Sequence, residues 1–245
     1  MAGGWPLKPR NSGGAGHGHS ARADPDRASS QSAGTAAALI RLGGLAGLVG
    51  PAGFTLAWVV ASFRQPGTAV TAAQISGLAA DNARDPWIMI FGFLVLGSCA
   101  FGFGAALAAA LGGHKEAGLG PSAIQAAGVL TIAAGLLRRD HVLLTAGAQS
   151  WHNHAHDVVS AISYVLLVAA PLLLARRFRR DQRWHAMTVP LATAAVAATA
   201  LLVAFYSAAN QTWDGVLQRI AVSLPLAAIA AVAARLAFGT GTAGG

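Results

Sequence analysis

Apolar residues in this chain do not alternate with polar ones; they run together. Six stretches, about 39–62, 87–111, 121–137, 156–175, 187–206 and 215–238, are rich in Ala, Leu and Val and almost free of charge. A helix needs about 20 such residues to cross the roughly 30 Å of bilayer hydrocarbon. Five of the runs meet that length, and the third, about 121–137, is short and has room to extend toward Asp140. A membrane barrel would show a period of two. Continuous apolar runs instead predict helices, which satisfy their own backbone groups in lipid. Pro190 falls near the start of the fifth run, where its missing N–H is harmless. Glycines such as Gly43, Gly44, Gly47, Gly102 and Gly104 suit close helix approach.

Composition agrees with the pattern. Hydrophobic residues make up 54% of the 245, and charged residues only 11%, where soluble domains carry about 25%. One cysteine excludes a disulfide framework and a cysteine-rich zinc site. The net charge of +8 does not form a basic face on a folded domain, so nucleic acid is not an expected partner. The charge reads as topology. With the N-terminus in the cytoplasm, twelve of the 17 Lys and Arg residues fall inside, and the run Arg176, Arg177, Arg179, Arg180 and Arg183 dominates. The expectation is an all-helical bundle of six spans in a bacterial-type cell membrane, with both termini cytoplasmic. Residues 1–38, polar and Gly/Ala/Ser/Pro-rich, are expected to be a disordered tail, 39–238 the membrane domain, and 239–245 a short second tail. The apolar run begins too late for a cleavable signal peptide. The tail's His17 and His19 have donors for weak metal binding, but a plain flexible tail accounts for them. Arg176, Arg177, Arg179 and Arg180 could also contact anionic lipid headgroups.

Polar residues gather at the end of the bundle expected to face outward. Asp140 and His141 follow the third span. Trp151, His152, Asn153, His154, His156 and Asp157 precede or open the fourth. Asn210, Gln211, Asp214, Gln218 and Arg219 surround the start of the sixth. Trp87, Trp151 and Trp213 fall at the same level, as an interfacial aromatic belt requires. Between the first two spans, residues 69–80 are helix-compatible, and with Val70, Ile75, Leu78 and Ala79 the segment is expected to lie along the interface. Arg219 lies more than a turn inside its span, where an arginine must snorkel or pair. Asp140, Asp157 and Asp214 are the expected companions.

His152 and His156, four residues apart, share one helix face. That spacing suits a shared proton or a zinc ion, with Asp140 or Asp157 as third ligand or as orienting group. No cofactor is expected; zinc at His152, His156 and Asp140 is the one metal reading. The competing readings are a structural polar cap joining the third, fourth and sixth spans, and a ligand or substrate site. Ser160, one turn after His156, forms at most a weak nucleophile pair with it.

These residues together resemble the DUF998 family of polytopic bacterial and archaeal membrane proteins. Ile75-Ser76-Gly77-Leu78 is similar to its first-loop element, and Pro86-Trp87 with Phe93 and Gly97 to the opening of its second helix. Asp140 resembles the aspartate after its third helix. His152, His156 and Asp157 resemble its His-x-x-x-His-Asp element, and Gly215, Gln218 and Arg219 its Gly-x-x-Gln-Arg element. Arg176-Arg177-Phe178 and Trp184 are similar to its inner loop. Arg138-Arg139 stands where the family pattern has a proline before the aspartate. The resemblance implies six helices and no reaction. Function then divides three ways: a non-enzymatic membrane protein whose rim cluster of Asp140, His152, His156, Asp157, Gln218 and Arg219 packs the bundle and binds a small polar ligand or lipid headgroup; an intramembrane hydrolase of lipid or peptide using metal or His/Asp chemistry; or a proton-linked carrier. The nearly charge-free middle of the spans, and the lack of an internal repeat, weigh against a carrier.

Overall fold

The computed structural model describes residues 1, 25–68, 71–143, 148–207 and 212–239. The chain divides into two compact units, Met1–Thr35 and Ala36–Gly245, and the bundle is the second. The described residues are all-helical. The helices are α1 (Pro25–Arg64), α2 (Pro86–Ala110), the single turn α3 (His114–Ala117), α4 (Leu119–Leu136), α5 (Trp151–Phe178), α6 (Thr188–Ser207) and α7 (Asp214–Phe238). Short 3-10 turns cover Ser76–Ala79 and His185–Met187. Six helices are long and apolar enough to cross a membrane: all but α3.

Each apolar run has its helix. Two boundaries differ from expectation. α1 begins at Pro25, so residues 25–38 are helical where a tail was expected; the rest of that tail, with His17 and His19, lies outside the described residues. α5 begins at Trp151, which places His152 and Asn153 in its first turn, capped by Ser150 Oγ accepting from the Asn153 N–H. α4 stops at Leu136, short of Asp140.

Small residues set the helix spacing. Gly97 on α2 faces Gly128 on α4 so closely that a Cβ on either would stand 2.5–2.6 Å from the other's carbonyl oxygen. α1 approaches α2 and α7 in the same way. A Cβ at Gly43 would meet Ala106, and one at Gly47 would meet Phe103 and Ala233. Apolar packing falls into two main clusters. One joins Phe103, Leu107, Leu174, Phe178, Trp184 and Val232. The other joins Phe54, Met89, Phe93, Leu96, Val222 and Leu226 with Ile75, Leu78 and Ala79. The last three belong to the α1–α2 loop, so a connecting segment forms part of the core.

The α1–α2, α4–α5 and α6–α7 connections share one end of the bundle, termed here the polar rim. The α2–α4 and α5–α6 connections share the other, the basic rim.

Overpacking a tight helix crossing costs about 1–3 kcal/mol. Gly97→Ala and Gly128→Ala are each expected to lower the melting temperature of the detergent-solubilised protein. Gly102→Ala, where an added Cβ meets nothing within 4 Å, is expected to leave it unchanged.

Candidate functional site at the polar rim

The α1–α2 loop does not lie along the interface, as its sequence suggested. Residues 73–80 are buried throughout, with only the 3-10 turn Ser76–Ala79 as regular structure. Insertion of Ile75, Leu78 and Ala79 into the core explains this: all three are 1–2% exposed. A buried loop must still satisfy backbone N–H and C=O groups that no helix or sheet pairs. Local turns take some of them: Gly77 N–H donates to Gln74 O, Leu78 N–H to Ile75 O, and Ala80 N–H to Gly77 O. Side chains from the helices and the α4–α5 loop take others.

α7 supplies the deepest of these. Gln218, 3% exposed, accepts from the Ile75 N–H at 2.5 Å through Oε1. Its Nε2 donates to the Tyr164 hydroxyl of α5 at 2.8 Å. Arg219, 7% exposed, donates from Nη1 to Ala73 O at 2.7 Å and from Nη2 to Ser62 Oγ at 3.1 Å. Its guanidinium also lies 5.2 Å from the Trp58 ring centre, within cation–π range. One helical turn earlier, a Cβ on Gly215 would meet Ala73 O at 2.4 Å and Thr71 O at 2.7 Å. Val216 N–H donates to that Thr71 oxygen. Gly215, Gln218 and Arg219 therefore act on one segment: the first admits the loop backbone, and the other two bond it.

The expected companion of Arg219 was a carboxylate such as Asp140, Asp157 or Asp214. Its described hydrogen bonds include those to Ala73 O and Ser62 Oγ.

Arg138 and Arg139, at the end of α4, hold the far end of the loop. Arg138 donates to Ala79 O and Ala80 O at 3.3 Å and pairs with Asp81 at 3.0 Å. Buried Arg139 donates from Nη1 to Gln74 Oε1 at 2.7 Å, lies 3.8 Å from Asp157, and accepts from the Asp81 N–H through its own carbonyl. The Gln74 side chain also bonds buried Asp214.

The two histidines do a different task. The last carbonyls of a helix lack intrahelical donors. His156 Nδ1 lies 2.8 Å from Ala134 O and 2.6 Å from Leu137 O, and His152 Nδ1 lies 2.8 Å from Arg138 O. Carbonyls only accept, so in both rings Nδ1 carries the proton. The i,i+4 imidazoles thus close the C-terminus of α4. His156, 1% exposed, turns its Nε2 toward Ser160 Oγ at 3.1 Å. His152 Nε2 faces Asp140 Oδ1 at 3.7 Å. Asp140 accepts from the Ser150 N–H at 2.8 Å and from the Ser150 hydroxyl at 2.5 Å, while its own N–H donates to Asn153 Oδ1. Asn153 Nδ2 in turn donates to Asp157. The Ser150 bonds hold the Asp140 carboxyl below its ordinary value, with His152 and His141 adding to the effect.

The six expected residues thus form two groups. Gln218 and Arg219 bond the α1–α2 loop; Asp140, His152, His156 and Asp157 join the ends of α4 and α5. Arg139 and Gln74 bridge them, and neither was singled out as a site residue from sequence. His156 is also separated from the expected metal set. Among the described residues, the three ligand-type side chains whose donor atoms lie within 4.8 Å of one another are Asp81, Asp140 and His152. His154 is exposed and points away. Asn210 and Gln211 lie outside the described residues.

A bundle of six apolar spans with its polar groups at one rim defines an integral, multi-pass membrane protein. The chain belongs to the DUF998 family, whose model, described as a protein of unknown function, matches residues 48–235. No curated protein and no solved structure matches it.

An acid dependence follows from Asp140. Its folded value is depressed, so its contribution to stability is fully present above the ordinary value of 3.8 and lost as pH falls through the lower folded value. Limited pepsin digestion across the acid range is expected to find the α4–α5 loop protected until below pH 3.8, with Asp140→Asn cleaved there even at the upper end. A wild-type loop cut equally at every pH would contradict this.

Proposed function

We propose that this protein is a non-enzymatic component of the cell membrane, both termini cytoplasmic, whose outward-facing polar rim keeps the α1–α2 loop inserted in the bundle. The open edge of that rim, around Asp140 and His152, takes a small polar ligand. The carrying observation is that Gln218 Oε1 and Arg219 Nη1 bond the loop backbone at Ile75 and Ala73. Groups engaged in this way act as a latch and are not available to a substrate. Accessible polar groups at that edge include Asp81, Asp140 and His152, which are exposed or half-buried and stand together. One interior cavity, bordered by Leu96, Phe103, Ile124, Leu167 and Leu226, is about 30 Å³, and its Thr131 hydroxyl is engaged with Ala127 O and Ser163.

The basic rim fits a cytoplasmic location and contact with anionic headgroups. Arg176, Arg179 and Arg180 are exposed. Arg177 contributes less to such a surface, because it donates to Glu116 O at 2.8 Å and lies 3.6 Å from Asp181. Hydrolysis of lipid or peptide is the second reading. Asp81, Asp140 and His152 favour it, as a set able to hold a metal ion and its activated water.

The latch is tested by thiol accessibility in a Cys99→Ser background. Ser76→Cys, buried in the loop, is expected to resist a maleimide, and to react once Gln218→Ala and Arg219→Ala are combined. Each of those changes removes hydrogen bonds worth about 1–3 kcal/mol. In whole cells, an impermeant reagent is expected to label His141→Cys and not Arg180→Cys. Ready labelling of Ser76→Cys with Gln218 and Arg219 intact would overturn the latch, and labelling of Arg180→Cys alone would reverse the orientation.

A further inference from the structure

Asp81, Asp140 and His152 come from three separate segments: the end of the α1–α2 loop, the α4–α5 loop and the first turn of α5. We propose that they form a binding site for a divalent transition cation, Zn²⁺ or a close analogue, which fastens the α1–α2 loop to the α4–α5 connection. The proposal rests on the reading of the open rim as a ligand site, and it names that ligand.

Geometry comes first. One donor atom from each residue lies within 4.8 Å of the others. A tetrahedral ion with bonds near 2.1 Å sets its ligands ~3.4 Å apart. His152 Nε2 and Asp140 Oδ1 already stand 3.7 Å apart, so closing the site falls mainly to the exposed Asp81 side chain. Three protein ligands leave a fourth position open to water.

Orientation is the second argument, and it comes from groups outside the set. A ligating histidine characteristically donates its other N–H to a carbonyl or carboxylate, which fixes the tautomer and aims the free nitrogen. His152 does so: Nδ1 donates to Arg138 O at 2.8 Å, and the free Nε2 faces Asp140. Asp140 is positioned by the Ser150 N–H and hydroxyl. Asp81 is anchored by its own N–H on Arg139 O at 2.9 Å, and its Oδ1 by Arg138 at 3.0 Å. A carboxylate paired through one oxygen keeps lone pairs for a second partner.

Donor chemistry selects the ion. Two carboxylates and one imidazole give an O,O,N set, and the imidazole favours Zn²⁺ and its first-row neighbours over Ca²⁺ or Mg²⁺. Two anionic ligands balance the charge of the dication. His156 takes no part, because its Nδ1 proton is on the α4 carbonyls and its Nε2 meets Ser160.

The test uses the full chain in detergent, stripped with chelator, in a background with His17 and His19 changed to Ala so that the tail cannot contribute. Titration with Co²⁺ is expected to give one saturable equivalent with visible d–d absorption, displaced by Zn²⁺. His152→Ala and Asp81→Asn are each expected to weaken uptake beyond the roughly 10–100-fold that outer-shell partners carry. Asp81 is exposed, so Asp81→Asn reports on the site without a folding defect, which the melting temperature checks. His154→Ala, at an exposed neighbour on the same helix, is expected to keep wild-type affinity. No saturable uptake by the parent chain, wild-type affinity in Asp81→Asn, or loss in His154→Ala would each overturn the site. Because Ser76→Cys protection is measured on metal-free protein, failure of the metal leaves the latch standing, and failure of the latch is seen separately.

Discussion

A peptide segment without helix or sheet pairing can sit inside an apolar bundle only if something else meets its N–H and C=O groups. That requirement organises the polar rim. Residues 73–80 bring Ile75, Leu78 and Ala79 into the core, and their burial favours insertion. Their backbone opposes it unless partners are waiting. Gln218 and Arg219 from α7, and Arg138 from the end of α4, provide those partners. The buried arginine, expensive on its own in lipid, becomes intelligible as a donor to the loop carbonyl of Ala73.

The same logic explains the α4–α5 junction. α4 is short, and its end is turned by a loop that carries two arginines. Its last carbonyls would be orphaned at the membrane boundary. His152 and His156 reach them from one face of α5, and Asp140 closes the start of α5 through Ser150. Two helix ends are thereby satisfied by each other's side chains. Arg139 and Gln74 carry the network across to the inserted loop. Four of the short elements through which the sequence resembles its family — Ile75 to Leu78, Asp140, His152 to Asp157, and Gly215 to Arg219 — are contact points of this one network.

Much of the architecture was legible in the chain because lipid simplifies the code. An apolar run long enough to cross must be helix, so six runs gave six helices. The gathering of polar residues at one rim was legible for the same reason. Pairing was not. The bond from Arg219 to Ala73 O could not be read, because a buried carbonyl has no signature in sequence. The 69–80 segment read as an interfacial helix because Val70, Ile75, Leu78 and Ala79 suit an amphipathic face as well as a buried loop; only tertiary packing separates the two. Asp81 was missed as a neighbour of His152 because their proximity depends on that burial. Arg139 looked like a topology charge, although it is 4% exposed and central.

The central claim is that the α1–α2 loop is a bonded part of the interior. Amide hydrogen exchange measures this directly. The account predicts that the Ile75 amide exchanges as slowly as those in the middle of α7, and that Gln218→Leu releases it while the α7 amides stay protected. Exchange at Ile75 as fast as in an open surface loop, with Gln218 intact, would contradict it.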